Sequence, residues 1–290
     1  MPRSILIAMT SHDRLGDTGA PTGAYVPELA HPHAVFTRAG YAVELASVRG
    51  GRPPLDGLAD PDAVTAAFLA SPAAAGLERT LASAALDPAR YAAIYVAGGH
   101  GAMWDLPGDP GFQRVIAAIY ERGGVVAAVC HGPAALVDVR LRDGAYLVAG
   151  HDVNAFTNDE ERAVGKDAVV PFLLEDRLVA RGARFRAAGR WQPLAVTSGR
   201  LITGQNPASA APVAHAVVAV DRHARHPLRR HPRAARRHQA AARQHLELRP
   251  PRPRLVADRQ ADRLQRLDRR GEHRGGVERQ LLRHEDDRDR

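Results

Sequence analysis

The chain has 290 residues, one cysteine and a formal net charge of +8. Its length suits one large domain or two small ones with a sizeable core, and a single cysteine excludes an intrachain disulfide and suits a reducing compartment. The charge invites a nucleic-acid reading, yet from Asp221 to Arg290 there are 21 arginines, no lysine and 11 acidic residues, so the basic excess belongs to the C-terminal stretch and residues 1–220 are close to neutral.

"SILIAMT" at the start reads as a short buried strand. It lacks the longer apolar core and small-residue cleavage site of a signal peptide. No run in the chain approaches the roughly 18 apolar residues of a membrane span. A soluble cytoplasmic protein is the expectation. Next come a helix over "PELAHPHAVFTRAG", ending at Gly40, a strand over "YAVELASV", and a helix over "DAVTAAFLA". "YAAIYVAGG" is a strand, "PGFQRVIAAIYERGG" a helix, "VVAAVC" a strand and "PAALVDV" a helix. "AVVPFLLEDRLVARGARF" reads as a helix, "LAVTSGRLITG" as strands and "SAAPVAHAVVAV" as a helix. Short apolar strands alternating with amphipathic helices predict an α/β fold, a mostly parallel sheet flanked by helices on both faces. Sites in such folds lie at the C-terminal ends of the strands.

The predicted domain spans residues 1–220. Residues 221–290 contain no Phe, Tyr or Trp and little apolar periodicity. Such a segment cannot bury enough surface to offset the entropy of ordering, so a disordered tail is expected. Arg-, His-, Pro- and Gln-rich text without lysine is also what a GC-rich gene yields in the wrong reading frame, and a frame-shift product is the favoured reading of it. The other reading is a basic arm, the one place where nucleic acid would bind.

"VVAAVC" should end a buried strand, and Pro133 suits the first position of a following helix. Cys130 then sits on the strand-to-helix turn, beside Gly132, as in a nucleophile elbow. A helix N-terminus there would lower the thiol pKa and favour thiolate. His131 is a candidate base. The alternative is a buried structural cysteine. His12, His31 and His33 show no diagnostic ligand spacing with Glu28, so no metal is expected. "AGGHGA" lacks the features of a phosphate loop. Met103 and Trp104 read as packing residues, and His100 as a residue that lines the pocket or does nothing.

Four separated stretches, "PELAHPHAVFTRAGYAVELAS", "YVAGGHGAMWDLP", "AAVCHGPAAL" and "SGRLITGQNPASA", occur in an order that resembles the ThiJ/PfpI superfamily. The resemblance covers about residues 3–220. Within the superfamily it is nearest to the glutathione-independent glyoxalases (glyoxalase III) and related stress chaperones. It implies a flavodoxin-like sandwich, as in class I glutamine amidotransferases, and commonly a homodimer. Residue by residue it implies Cys130 as nucleophile, His131 as its neighbouring histidine and Glu28 as an acidic group beside the thiol. In "NAFTNDEERAVG" it places a carboxylate that orients the histidine, best matched by Glu161, with Glu160 as the alternative. It assigns oxyanion donors to the backbone at Gly98, Gly99 and His131. Pro27, just before Glu28, departs from the pattern and could shift the start of that helix. The implied substrate is a small 2-oxoaldehyde such as methylglyoxal, converted to lactate without a cofactor. Competing readings are a deglycase or cysteine peptidase on the same site, or a non-enzymatic chaperone or redox sensor.

Overall fold

The apolar runs expected to be strands lie side by side. The structure, a computed structural model, describes residues 3–225. The expectations for residues 226–290 lie outside the described residues. In chain order the strands are β1 (Ser4–Met9), β2 (Ala24–Tyr25), β3 (Ala42–Ser47), β4 (Leu55–Asp56), β5 (Leu81–Ala82), β6 (Tyr91–Val96), β7 (Val125–Val129), β8 (Asp152–Val153), β9 (Arg184–Phe185), β10 (Ala195–Ser198) and β11 (Leu201–Gly204). The α-helices are α1 (Pro27–Arg38), α2 (Ala63–Leu69), α3 (Ala102–Asp105), α4 (Pro110–Glu121), α5 (Asn158–Ala163), α6 (Leu174–Ala180) and α7 (Ala210–Arg225). Seven strands form the central sheet in the order β10-β11-β7-β6-β1-β3-β5. Every neighbouring pair is parallel except the β10–β11 hairpin at one edge.

Side chains alternate across the sheet, as strand geometry requires. Leu6, Ala8, Ile94, Val96, Val126 and Ala128 face a core that includes α4 and α6. Ile5, Ile7, Met9, Ala93, Tyr95 and Val129 face the opposite core, with α1, α2 and α7. Both faces are therefore covered, which is why the central strands read as continuous apolar runs. Each fully buried Leu, Ile, Val or Phe stabilises the fold by about 1.5–3 kcal/mol.

Three expectations change. "PAALVDV" is not an α-helix: Gly132–Leu136 form a single 3-10 turn. Of residues 168–185 only α6 is helical; Pro171 disfavours helix in the residue before it, and Gly182, at φ 88°, ends the segment ahead of β9. The last helix runs on to Arg225, past the predicted boundary at 220, and its buried Asp221 pairs with Arg3 at 3.0 Å. Among the described residues no helix is long and apolar enough to cross a membrane.

Candidate active site

The site forms where β6 and β7 end and α1 begins. Cys130 is the residue after β7 and has φ 58°, in the left-handed region that a side chain with a Cβ rarely adopts. Two backbone bonds hold it there: its N–H donates to Gly204 O at 2.9 Å, and its carbonyl accepts from Phe156 N–H at 2.8 Å. The strained turn aims Sγ out of the sheet into a pocket, as an elbow does. Sγ lies 3.4 Å from His131 Nδ1. On the other side of the ring, His131 Nε2 donates to Glu161 Oε2 at 2.8 Å. That bond fixes the tautomer: Nε2 carries the hydrogen and Nδ1 presents its lone pair to the thiol.

Glu161 lies on α5, which starts at a Thr157–Glu160 capping box. Both glutamates of this short helix are buried, at 0% and 3% exposure for Glu160 and Glu161. Glu161, not Glu160, meets the histidine. Its second oxygen, Oε1, accepts from His100 Nε2 at 3.0 Å, so one carboxylate serves two imidazoles whose centroids are 4.1 Å apart. Burial pushes the Glu161 carboxyl up, but the bonds from His100 and His131 overcome this and hold it at about 2. Burial first, and then neighbouring His131, push the His100 imidazole down to about 4, so it stays neutral.

Glu28 enters from the first turn of α1. Pro27 occupies the first helical position and does not displace it. The carboxyl is fully buried, and its Oε2 accepts from Gly98 N–H at 2.6 Å. Burial pushes its pKa up to about 8 against the opposing pull of Gly98 N–H and the Cys130 thiol. At neutral pH it is mostly a carboxylic acid. Burial likewise pushes the Cys130 thiol well up, and the neighbouring Glu28 adds to this, while backbone N–H groups of His131 and Gly99 pull it down. The direction is opposite to the lowering expected from a helix N-terminus. A 3-10 turn of five residues supplies too little aligned dipole to overcome burial.

The oxyanion donors also need correction. Gly98 was expected among them, but its N–H is committed to Glu28. Gly99 and His131 remain, and their backbone N–H groups pull the Cys130 thiol pKa down. A Cβ on Gly98 would lie 2.7 Å from His131 N and 2.9 Å from Glu28 Oε2, so only glycine lets the two strand ends close over the thiol. Gly99, at φ 94°, sits where a Cβ would strike Gly23 O.

Above these groups is a cavity of about 400 Å³, bordered by Tyr25, His100, Phe156, Lys166, Trp191 and Asn206. Sequence reasoning left His100 undecided and did not select Phe156 or Trp191. "GGHG" could have suggested the first; nothing local marks the other two. Met103 is buried, and Trp104 stacks on His12 at 5.1 Å, in keeping with packing roles. His31 pairs with Asp62 and His33 lies against Phe68. Among the described residues, the grouping able to hold a metal is His100, His131 and Glu161, whose donor atoms lie within 4.8 Å of one another. Two N–H···O bonds already use these atoms, so a cation there would compete with the arrangement that orients His131.

A family model for the DJ-1/PfpI family matches residues 22–220. Glyoxalase 3 of Candida albicans is 32% identical over 228 residues, covering 74% of this chain and 97% of that protein. Glutathione-independent glyoxalase HSP31 of Saccharomyces cerevisiae is 33% identical, with 72% and 94% covered. Among solved structures, the Rapid Encystment Protein 24 KDa of Francisella tularensis superposes with a TM-score of 0.73 at 35% identity, covering 76% of this chain and 99% of that one. Glyoxalase III from Candida albicans gives 0.71 at 30%, with 75% and 97% covered. With the sheet order, the cysteine elbow and these likenesses together, the chain belongs to the DJ-1/PfpI family.

Proposed function

We propose that the protein is a glutathione-independent glyoxalase, converting methylglyoxal-type 2-oxoaldehydes to 2-hydroxy acids through a hemithioacetal on Cys130. Beyond family likeness, one observation carries this reading: a fully buried carboxyl at Glu28, its pKa pushed up by that burial, borders the thiol. Acyl transfer needs a nucleophile, a base and oxyanion donors. Isomerisation between adjacent carbons needs a further proton carrier at those carbons. Glu28 supplies it.

The steps balance internally. Sγ bonds to the aldehyde carbon, the carbonyl pair moves to oxygen, and the thiol proton passes to His131 Nδ1. The N–H groups of Gly99 and His131 hold the alkoxide, which then takes the proton from the imidazolium. A base removes the hydrogen of the aldehyde carbon, and a proton is delivered to the neighbouring carbon through an enediol. The first carbon is oxidised and the second reduced, so no outside oxidant or reductant enters. Glu28 is the proton carrier, with His131 as the competing base. Water, deprotonated by His131, then attacks the thioester and frees the acid and the thiol. With a pKa of about 8, Glu28 is ionised in roughly a tenth of molecules at pH 7. Turnover therefore rises with pH towards 8.

The protein is proposed to act as a cytoplasmic homodimer, and sedimentation that returns the mass of one chain would remove the dimer. The deciding assay is lactate formation from methylglyoxal without glutathione, beside Cys130→Ser. Lactate from the wild type alone supports the reading. Lactate from neither overturns it, lactate from both removes Cys130 from the chemistry, and suppression of aggregation that survives Cys130→Ser supports the chaperone reading instead.

A further inference from the structure

Trp191 sits in an unexpected conformation. Its φ is 64°, a region where a bulky residue is an outlier. Its burial does not explain this, since it is 47% exposed. Its N–H donates to Glu160 Oε1 at 2.9 Å. The same oxygen accepts from Gln205 Nε2 at 3.0 Å and from Asn206 Nδ2 at 2.9 Å. Oε2 accepts from the N–H and hydroxyl of Thr157, each at 3.1 Å. Glu160 is thus a completely buried carboxylate that touches neither the thiol nor His131. Burying such a group is costly unless its bonds are made. Here those bonds hold two pocket-lining residues, Trp191 and Asn206, in place. Strain of this kind persists only where the surroundings over-determine it.

The indole lies beside Phe156, its plane inclined by 48° with centroids 5.9 Å apart, and the Phe156 and His131 ring centroids are 4.5 Å apart. An aromatic surface therefore runs from the reacting groups to the mouth of the pocket. The cavity of about 400 Å³ lies in the range that encloses drug-sized ligands, whereas methylglyoxal has only a handful of heavy atoms.

We propose that Phe156 and Trp191 form a second subsite, an aromatic slot for the group attached to the 2-oxo carbon, with Glu160 as its positioning residue. The ligands it takes are 2-oxoaldehydes bearing a flat aromatic or extended apolar group. That last assignment rests on the glyoxalase reading; the slot itself does not.

The test separates the two. Cys130 is the chain's one cysteine, so loss of free thiol on alkylation reports on this pocket alone. Phenacyl bromide and bromoacetone offer the same reactive carbon and differ by phenyl against methyl. The ratio of their rates, divided by the ratio for a small free thiol, measures the slot. We expect that ratio to be about tenfold in favour of the aromatic reagent, the worth of a good ring–ring contact. Trp191→Gly keeps a backbone that accepts φ 64° without strain. It should bring the ratio near one, while Trp191→Phe should retain part of it and Glu160→Gln should lower it. An unchanged ratio in Trp191→Gly, or an equal slowing with both reagents, overturns the slot. Phenylglyoxal and methylglyoxal turnover are then compared in the wild type. If neither is turned over while the alkylation ratio depends on Trp191, the glyoxalase reading has failed and the slot stands. If methylglyoxal is turned over and the ratio ignores Trp191, the reverse holds.

Discussion

Glu28→Gln should stabilise the protein at neutral pH while abolishing turnover. The carboxyl has an ordinary pKa of 4.5 and is raised to about 8 in the fold. Between those values the folded state holds a proton that the unfolded state has released. The unfolded state therefore binds fewer protons, and stability falls as pH rises. The native advantage is complete below 4.5 and is lost as pH climbs towards 8. At pH 7 the loss is 2.303RT times the distance from 4.5, on the order of 3 kcal/mol. Glutamine is a neutral isostere of the protonated acid. Its amide oxygen can accept from Gly98 N–H, and its NH₂ can face the sulfur. The variant escapes the titration, so it should melt higher than wild type at pH 7 by roughly 6–12 °C, given about 2–4 °C per kcal/mol for a domain of this size. At pH 4 the two should melt together. The assay is a series of reversible thermal melts of both proteins from pH 4 to pH 8, in which the difference isolates position 28. A melting difference that stays flat between pH 4.5 and 7.5 would refute the reasoning, because Glu28 would then titrate normally.

Other perturbations address the remaining groups. Glu161→Gln leaves His131 free to adopt the wrong tautomer, so kcat should fall by about 10²–10⁴ with KM less affected, as steady-state kinetics would show. The same carboxyl is held at about 2, so its hydrogen bonds from His100 and His131 contribute fully above about pH 4.5 and are lost as pH falls towards 2; acid melts of Glu161→Gln should show a shallower decline. His100→Ala leaves Glu161 Oε1 without its donor, a cost of about 1–3 kcal/mol, or about fivefold to 150-fold where it falls on kcat, and His100→Gln should recover part of it. Turnover of methylglyoxal in D₂O should give lactate with some deuterium at carbon 2 by NMR, because the proton held by Glu28 can exchange before delivery, and deuterium there excludes a hydride shift; protium retained in full would mean that the carrier returns the proton it removed or that hydride moves directly, and lactate still formed by Glu28→Gln would then remove the role of Glu28.

The elements were legible where packing and local preference agree. β1, β6 and β7 are buried on both faces, and their unbroken apolar runs announce it. α4 carries an Asp109 cap, Pro110 at its first position and an apolar stripe, so its start was readable to the residue and its end to within three residues. The turn after Cys130 was not. "GPAAL" has the composition of a helix start, but Gly132 packs where a Cβ would strike Val96 O, and the segment closes as 3-10 after one turn. The thiol pKa was misjudged for the same reason, since the expected dipole belongs to a helix that does not form. Gly98 was placed correctly beside the site and given the wrong partner, because a sequence does not show which of two adjacent glycines spends its N–H on a carboxylate.

Glu160 and Glu161 show where reading residues in order reaches its limit. They are neighbours in sequence, and each could have been the partner of His131. On a helix, successive residues point about 100° apart, so once α5 is set by its capping box only one of them can face β7. Glu161 does, and the other carboxylate is turned towards the chain that returns after β11. There it meets Gln205, Asn206 and the N–H of Trp191. The two acids thus divide the pocket between them: one orients the base at the thiol, and the other fixes the wall opposite. A shift of α5 by a single residue would exchange these partners and undo both. The division predicts that swapping the pair, Glu160→Gln with Glu161 intact against the reverse, separates two losses. The first should lower the aromatic preference in alkylation while lactate formation from methylglyoxal persists. The second should abolish lactate formation while the preference persists. If both variants lose both properties in parallel, α5 acts as one structural unit and the separate roles assigned to its two glutamates are wrong.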